Sequence, residues 1–340
     1  MKRSALSLVF LVVSLMLVVP SVHAEEKTYK IEVLQVPREA APFDNAFNGF
    51  LKELEKNGIV KGKNLVINRN SIEFDVEKGG IWKKLGVLMD IKSEAGKIID
   101  KKPDLVLTIG TAATKYGKDK FISAGIPVVF TAVAVPEAAG CKSLTEAGPG
   151  FTGATLHMDM KNALQIMKLA FPNAKTLGII HSDDDSAIAH AGEAKKEGPG
   201  LGLTIITKQI VRTESIKPAA NELIEKGVQA FIIPLDTYYG HRNAEPAAEI
   251  AAISRSTKIP IVSFMLHKNP GAVLYVGSDF SVIGGMAGQQ AVKILKTGAK
   301  PETLPVARQQ DLMILVDVKQ MQAIGANLPM EILKLAKPVE

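Results

Sequence analysis

The residues most able to do chemistry are concentrated between His181 and His190, a segment with two histidines and three aspartates. A metal site would need several of them to converge on one point. The two histidines are nine positions apart, which does not place them two turns apart on one helix face. The consecutive acids Asp183, Asp184 and Asp185 fit the start of a helix, where the dipole favours negative charge. We therefore predict no metal site.

Sequence motifs typical of enzymes are missing. The chain has no Gly-x-Ser-x-Gly, no P-loop and no His-Glu-x-x-His. Gly284, Gly285 and Gly288 do not match the spacing of a dinucleotide-binding loop, and we interpret them as small residues for helix packing. Cys141 is the single cysteine, which rules out an internal disulfide and predicts a packed thiol. We predict no catalytic residue, no cofactor and no enzymatic activity.

Polar residues that directly follow apolar strands are candidates for binding a small molecule. Thr111 and Ala112 follow Gly110 after one such strand, and Thr131 and Ala132 follow the next. In open α/β sheets, ligands bind outside the carboxyl ends of the strands. Thr111 could cap the helix that begins there, or the free amides of that helix could bind a carboxylate or phosphate. The sequence leaves both interpretations open.

Short Val/Ile/Leu runs alternate with amphipathic segments, a pattern that predicts parallel sheets with helices on both faces. The predicted strands are Lys30–Gln35, Asn64–Asn68, Leu105–Ile109, Val128–Phe130, Thr176–Ile180, Leu203–Ile210, Ala230–Pro234, Ile261–Phe264 and Val273–Val276. The predicted helices are Asn45–Asn57, Asn162–Ala170, Ile216–Lys226, Ala244–Ser256 and Gly285–Lys296. The series is interrupted at Gly148-Pro149-Gly150, and 340 residues are too many for one core, so we expect two successive α/β lobes with a crevice between them.

The first 24 residues have the layout of a secretory signal peptide. Lys2 and Arg3 precede an apolar run from Leu6 to Val19, and Ala24 ends a small-x-small cleavage site. The run is shorter than the roughly 20 residues that span a bilayer, which favours cleavage over a retained anchor. The net charge of +6 is scattered and forms no basic stripe with aromatic residues, so we predict no nucleic-acid partner.

Four segments together carry a family resemblance. They are Ile126–Val133 with Pro136, Phe171–Gly178, Gly298–Pro301 with Ala323–Pro329, and Lys52–Val66. Taken in their order along the chain, they resemble the ABC transporter substrate-binding proteins often labelled tryptophan/tyrosine or uncharacterised-substrate type. The resemblance spans almost the whole chain after the signal peptide.

The resemblance implies a type I periplasmic-binding fold, an α/β fold of two doubly wound parallel-sheet lobes joined by three crossovers. We expect the crossovers near 148–153, 277–279 and 307–311. The lobes would then be 25–150 plus 278–307, and 151–277 plus 308–340, after a signal peptide of residues 1–24. The implied function is a monomeric periplasmic protein that delivers a small-molecule ligand to an ABC permease in the inner membrane. The alternative is a periplasmic sensory module that presents its ligand to a receptor or kinase.

Positions matched to the family's ligand-facing loops give the expected site. They are Gln35, Thr111, Ala112, Thr131, Ala132, Ser182 and Asp236, with Phe264, Tyr238 and Tyr239 as an aromatic wall. Two positions depart from the family pattern: Ala134-Val135 replaces Thr-Asp, and Phe264 stands where an acidic residue is common. Asp236 is then left as the expected partner of a ligand ammonium group. The losses weaken an amino-acid assignment, and the aromatic residues could equally be packing at a domain edge.

Overall fold

A computed structural model of the chain describes residues 27–36, 41–72 and 81–339. The predicted signal peptide, residues 1–24, lies outside these ranges. Within them, no helix combines the length and the apolar character needed to cross a bilayer.

The first lobe is built on a six-stranded sheet whose paired strands are all parallel. Its strands are β1 (Tyr29–Gln35), β2 (Leu65–Ser71), β3 (Leu105–Ile109), β4 (Val128–Val133), β5 (Phe151–Thr155) and β11 (Ala307–Arg308), in the order β11-β5-β4-β3-β1-β2. Helices α1 (Ala41–Lys56) and α8 (Phe280–Thr297) cover one face, and α2 (Ile81–Asp100) and α3 (Thr111–Ser123) cover the other. Because both faces are covered, the central strands β3 and β4 are buried at every residue.

The second lobe is built on a seven-stranded sheet that is parallel except for the pair β10 and β12. Its strands are β6 (Thr176–His181), β7 (Thr204–Gln209), β8 (Ala230–Ile233), β9 (Ile261–Ser263), β10 (Ala272–Gly277), β12 (Met313–Val316) and β13 (Lys337–Pro338), in the order β13-β12-β10-β9-β8-β6-β7. Its helices are α4 (Met160–Ala170), α5 (Asp185–Glu197), α6 (Lys217–Glu225), α7 (His241–Thr257), α9 (Val318–Ile324) and α10 (Met330–Leu335). Helices α4 and α5 pack on one face of the sheet and α6 and α7 on the other, so the α/β, doubly wound prediction is confirmed.

Three long helices were not among the predicted helices: α2, α3 and α5. In α3 the buried positions include Ala113, Thr114 and Gly117, and in α5 they are mostly alanine. Such faces carry no large apolar stripe, which is the signal that periodicity detects. Gly117 allows α3 to lie against the sheet, because a Cβ there would stand 2.7 Å from the Leu34 side chain.

The first crossover lies later in the chain than expected. Phe151–Thr155 pairs with β4 in the first sheet, so the chain leaves that lobe after Thr155 and not near 148–153. Gly148 and Gly150 have φ angles of 153° and 74° and form a turn within the first lobe. A glycine-rich turn has the same sequence signature inside a lobe as between lobes, which explains the difference. The chain crosses again at 278–279 and at 309–312.

Helices α1 and α8 pack closely through glycine. A Cβ on Gly284 would stand 1.8 Å from the Ala46 carbonyl oxygen, and one on Gly49 would stand 2.0 Å from that of Ser281. The interpretation of the glycine cluster as helix packing is therefore confirmed.

Candidate functional site

A cleft of about 410 Å³ lies between the carboxyl ends of the strands of the two lobes. This volume is in the usual range for a small-molecule site. The first lobe contributes Val36, Pro42, Phe43, Val87, Thr111, Ala112, Tyr116, Ala132, Ala134, Leu156 and Phe280. The second contributes Asp183, Asp184, Asp185, Ser186, Arg212, Leu235, Asp236, Thr237, Tyr239, Gly240, His241, Asn243, Ala244, Met265, His267, Lys268 and Asn269.

The two walls of the cleft differ in chemistry. Among the described residues, the wall from the first lobe contains no charged side chain, and three of its members are aromatic: Phe43, Tyr116 and Phe280. The wall from the second lobe carries the charges of both signs. An apolar wall facing a polar one suits a ligand with an apolar part and a separate polar part.

The Phe43 ring and the backbone of Val36 pack closely against Gly110, at the start of α3. Gly110 has a φ of 92°, and a Cβ there would lie 3.0 Å from both the Phe43 ring and the Val36 carbonyl oxygen. Gly110 itself occupies the N-cap position, with no side-chain cap, and Thr111 is the first helical residue. The interpretation of Thr111 as a helix cap is therefore wrong.

Ala132 reaches the cleft through an irregularity in β4. Its φ is 55°, and the register with β5 shifts between Phe130 and Val133. A left-handed residue in a strand bends the chain, and here the bend brings the largely buried Ala132 to the wall of the cleft. The preceding residue, Thr131, is fully buried and is not part of the wall.

Asp236 lies at the wall, but its carboxylate is engaged inside the second lobe. It accepts hydrogen bonds from the Ser182 amide at 2.7 Å, the Ser182 hydroxyl at 2.8 Å and the Tyr238 amide at 2.9 Å. Burial and the nearby Asp184 charge raise the pKa of Asp236 to about 6. In the structure, this carboxylate links the loop after β6 to the loop after β8.

Arg212, which the sequence did not single out, organises the polar wall. Its guanidinium donates to Asp183 at 2.8 Å, to the Thr237 hydroxyl at 3.2 Å and to Asp184 at 3.4 Å. These residues come from the loops after β6, β7 and β8. Its position three residues beyond the end of β7 is the sequence feature that could have marked Arg212 as a residue of the cleft.

A left-handed turn forms the next part of the same wall. Arg242, Asn243 and Ala244 have φ angles of 51°, 56° and 62° at the start of α7, and His241, Asn243 and Ala244 line the cleft. Left-handed conformations cost a residue with a Cβ about 1–2 kcal/mol, so three in succession need support from their surroundings.

Two contacts join the lobes beside the cleft. The Thr111 hydroxyl lies 3.3 Å from that of Ser186, and Lys115 Nζ lies 2.7 Å from Asp185. The hydrogen bond to Asp185 raises the pKa of Lys115. Both contacts run from α3 of the first lobe to α5 of the second.

Of the ten residues expected at the site, five line the cleft: Thr111, Ala112, Ala132, Asp236 and Tyr239. Ser182 supports Asp236 from behind, and Gln35 is buried and accepts a hydrogen bond from Arg69 at 2.8 Å. Tyr238 and Phe264 belong to the hydrophobic cores of the second lobe, so packing is what the structure shows for them. The aromatic side chains of the wall come mainly from the opposite lobe, and sequence reasoning missed them.

The metal-binding and thiol candidates were also compared with the structure. Across the described ranges, no group of three or more His, Cys, Asp or Glu side chains is arranged to hold a metal ion. Cys141 is buried, which raises the pKa of its thiol to about 12 and keeps it protonated at neutral pH.

Two sheet-based lobes, three crossovers and a cleft between the lobes define a type I periplasmic-binding fold. Residues 30–340 match the family of ABC transporter substrate binding proteins, and the chain belongs to that family. A tyrosine-binding protein from Clostridioides difficile is 25% identical over 286 residues, covering 83% of this chain and 76% of the relative.

Solved structures show the same fold. A Streptococcus pneumoniae ABC domain in complex with L-Trp has a TM-score of 0.75 at 24% identity, covering 92% of this chain and 100% of its own. A conserved domain protein from Vibrio cholerae has a TM-score of 0.77 at 21% identity, with the same coverage. A ligand-free, open substrate-binding protein with adhesive properties from Clostridium difficile has a TM-score of 0.70 at 25% identity, covering 92% and 99%.

Proposed function

We propose that this chain captures an aromatic amino acid, or a closely similar amphipathic molecule, in the cleft and delivers it to an ABC permease. The observation that carries the proposal is the contrast between the two walls. Phe43, Tyr116 and Phe280 offer an apolar surface for a ring, and the wall from the second lobe offers charges of both signs for a zwitterionic group. The names of the tyrosine-binding relative and of the L-Trp complex support the same ligand class.

The chain acts as a binding protein and not as an enzyme. Its family is one of substrate-binding proteins. We propose a monomer, exported to the periplasm by cleavage after Ala24, with no nucleic-acid partner. N-terminal sequencing of the exported protein should find Glu25 first, and recovery of Met1 in a membrane fraction would contradict this.

The ligand class is tested by calorimetry and thermal shift with a small panel: L-tyrosine, L-tryptophan, L-phenylalanine, L-leucine and 4-hydroxybenzoate. The last two lack the ring and the ammonium group respectively. An aromatic amino acid present at 100 times its Kd should stabilise the protein by about 2.7 kcal/mol. Equal binding of L-leucine would remove the role of the ring, and equal binding of 4-hydroxybenzoate would remove that of the ammonium group.

The delivery role needs a separate measurement. Ligand-loaded protein should stimulate ATP hydrolysis by its permease in proteoliposomes, and scattering should show a smaller radius of gyration with ligand because the lobes close by hinge rotation. Ligand binding without any stimulation of a permease would favour the sensory alternative.

A further inference from the structure

In the wall from the second lobe, two polar side chains, Asn243 and His267, have no polar partner among the described residues, and of the two only Asn243 carries a carboxamide. Asn243 lines the cleft, is exposed, and forms no hydrogen bond or other polar contact with a described residue. Its charged neighbours differ, because Asp183 and Asp184 both bond to Arg212. The Asn243 carboxamide therefore keeps both its donors and its acceptor for a molecule in the cleft.

The backbone at Asn243 is held in place from outside the cleft. The Arg242 guanidinium donates to the Arg212 carbonyl oxygen at 2.8 Å, to the Glu214 carbonyl oxygen at 3.3 Å and to the Glu245 carboxylate at 2.6 Å. Its planar group also lies 5.9 Å from the centre of the Tyr238 ring. One side chain thus ties the left-handed turn to the loop after β7.

The residue types fit the turn unevenly. Asn adopts a left-handed conformation more readily than most residues, whereas Arg242 and Ala244 have no such tendency. Pro246 follows two residues later and favours the resumption of the helix beyond the turn. The turn is thus fixed by contacts made on its outer side, while Asn243 faces the cleft.

We propose that Asn243 is a specificity-determining residue that reads the polar group of the ligand, and that Arg242 is the positioning residue that holds the turn presenting it. This inference rests on the proposed function for the class of ligand. The Asn243 amide offers donors and an acceptor side by side, so it suits a polar group that itself has both, such as the ammonium and carboxylate of an amino acid.

Calorimetry with L-tyrosine and L-tryptophan tests the role of Asn243. N243A should weaken binding about tenfold, the loss of roughly one good hydrogen bond. It should also lower the melting temperature of the free protein slightly, because alanine adopts the left-handed conformation less readily than asparagine. N243D keeps the size of the side chain and its acceptor oxygens but loses the N–H donors. It should therefore weaken binding of a ligand whose carboxylate faces this position. Unchanged affinity of N243A for a ligand that the wild type binds would overturn the proposal.

The positioning role has its own matched control. R242A should also weaken binding about tenfold, and R242K should fall between it and the wild type because an ammonium group cannot bond to all three acceptors. Adding A244G to R242A should restore part of the affinity, since glycine accepts the left-handed conformation without support. K258G is the control, because Lys258 has a φ of 61° at the far end of the same helix, away from the cleft.

Rescue of R242A by A244G and not by K258G supports the proposal, and equal rescue or none contradicts it.

If the wild type binds neither amino acid, the proposed ligand class fails, and hydrogen exchange on the free protein then decides the positioning role. R242A should speed exchange at residues 243–245 and leave α6 unchanged. Exchange that is the same as in the wild type would overturn the role of Arg242.

Discussion

Replacing Asp236 with alanine separates two roles for the acid that the sequence could not distinguish. As a partner of a ligand ammonium group, it would affect binding and leave stability alone. In the structure its carboxylate accepts hydrogen bonds from the amides of Ser182 and Tyr238 and from the Ser182 hydroxyl, which predicts the opposite.

The magnitude follows from the donors left behind. Two buried amides of Ser182 and Tyr238 would lose their acceptor, at a cost of about 1–3 kcal/mol each. Removing the buried charge of Asp236 returns part of this, because burial already raises its pKa to about 6. We expect Asp236→Ala to lower the free energy of unfolding by about 2–4 kcal/mol at pH 7.

Urea unfolding at pH 7, followed by circular dichroism, measures this change. Asp236 is the N-cap of the short 3₁₀ helix Thr237–Gly240. Asp317→Ala is the matched control, since Asp317 is the N-cap of α9 but accepts a single amide hydrogen bond, from Gln320 at 3.0 Å. It should lose only about 1 kcal/mol. Calorimetry of each variant with a bound aromatic amino acid completes the comparison.

A loss below 0.5 kcal/mol for Asp236→Ala would refute the reasoning, because the two amides would then have found other partners. If binding of an amine ligand fell at the same time by tenfold or more, Asp236 would be the ammonium partner that the sequence suggested. If stability falls and affinity is retained, Asp236 is a scaffold residue.

Three further predictions concern charge and packing. Lys115→Gln should remove the contact with Asp185 and speed ligand release up to about fivefold, because this partly exposed pair contributes roughly 0.2–1 kcal/mol. Stopped-flow measurements should show the effect vanish in 1 M salt, and Lys226→Gln, which breaks a 2.7 Å pair with Glu222 at the end of α6, should leave release unchanged. Burial lowers the pKa of His190 from 6.5 to about 4. The unfolded chain therefore takes up a proton first as the pH falls below 6.5, and the free energy of unfolding should drop by about 3 kcal/mol between pH 6.5 and 4. Unfolding curves of His190→Gln should lack this drop, and a variant with the pH dependence of the wild type would contradict it. Gly284→Ala should lower the melting temperature measured by calorimetry, because its Cβ would overlap the Ala46 carbonyl oxygen; an unchanged value would show that α1 and α8 can separate freely.

The site was only partly predictable from sequence. Thr111, Ala112 and Ala132 were found because the carboxyl ends of parallel strands meet at one edge of a sheet, which is a rule of topology. Phe43 and Tyr116 were missed because they lie on helices, where an aromatic residue looks like any other packing residue. Their place at the wall depends on how far each helix tilts and how closely glycine lets it approach.

The direction of a side chain at a strand end was equally hidden. Tyr238 and Tyr239 are neighbours after β8, yet only Tyr239 lines the cleft, and both hydroxyls donate to carbonyl oxygens inside the lobe. Asp236 illustrates the same limit, because its position was predicted but two of its three hydrogen bonds come from Ser182, in another loop.

The sequence alone determined the properties that depend on local pattern. Alternating apolar runs and amphipathic segments fixed the α/β class, since burial on both faces requires continuous apolar strands. Family-like segments along the chain fixed the kind of protein. The tertiary structure alone decided which strand belongs to which lobe, as with Phe151–Thr155, and which groups face the cleft, as with Arg212 and Asn243. These depend on contacts between residues far apart in the chain, and local sequence carries no record of such distances.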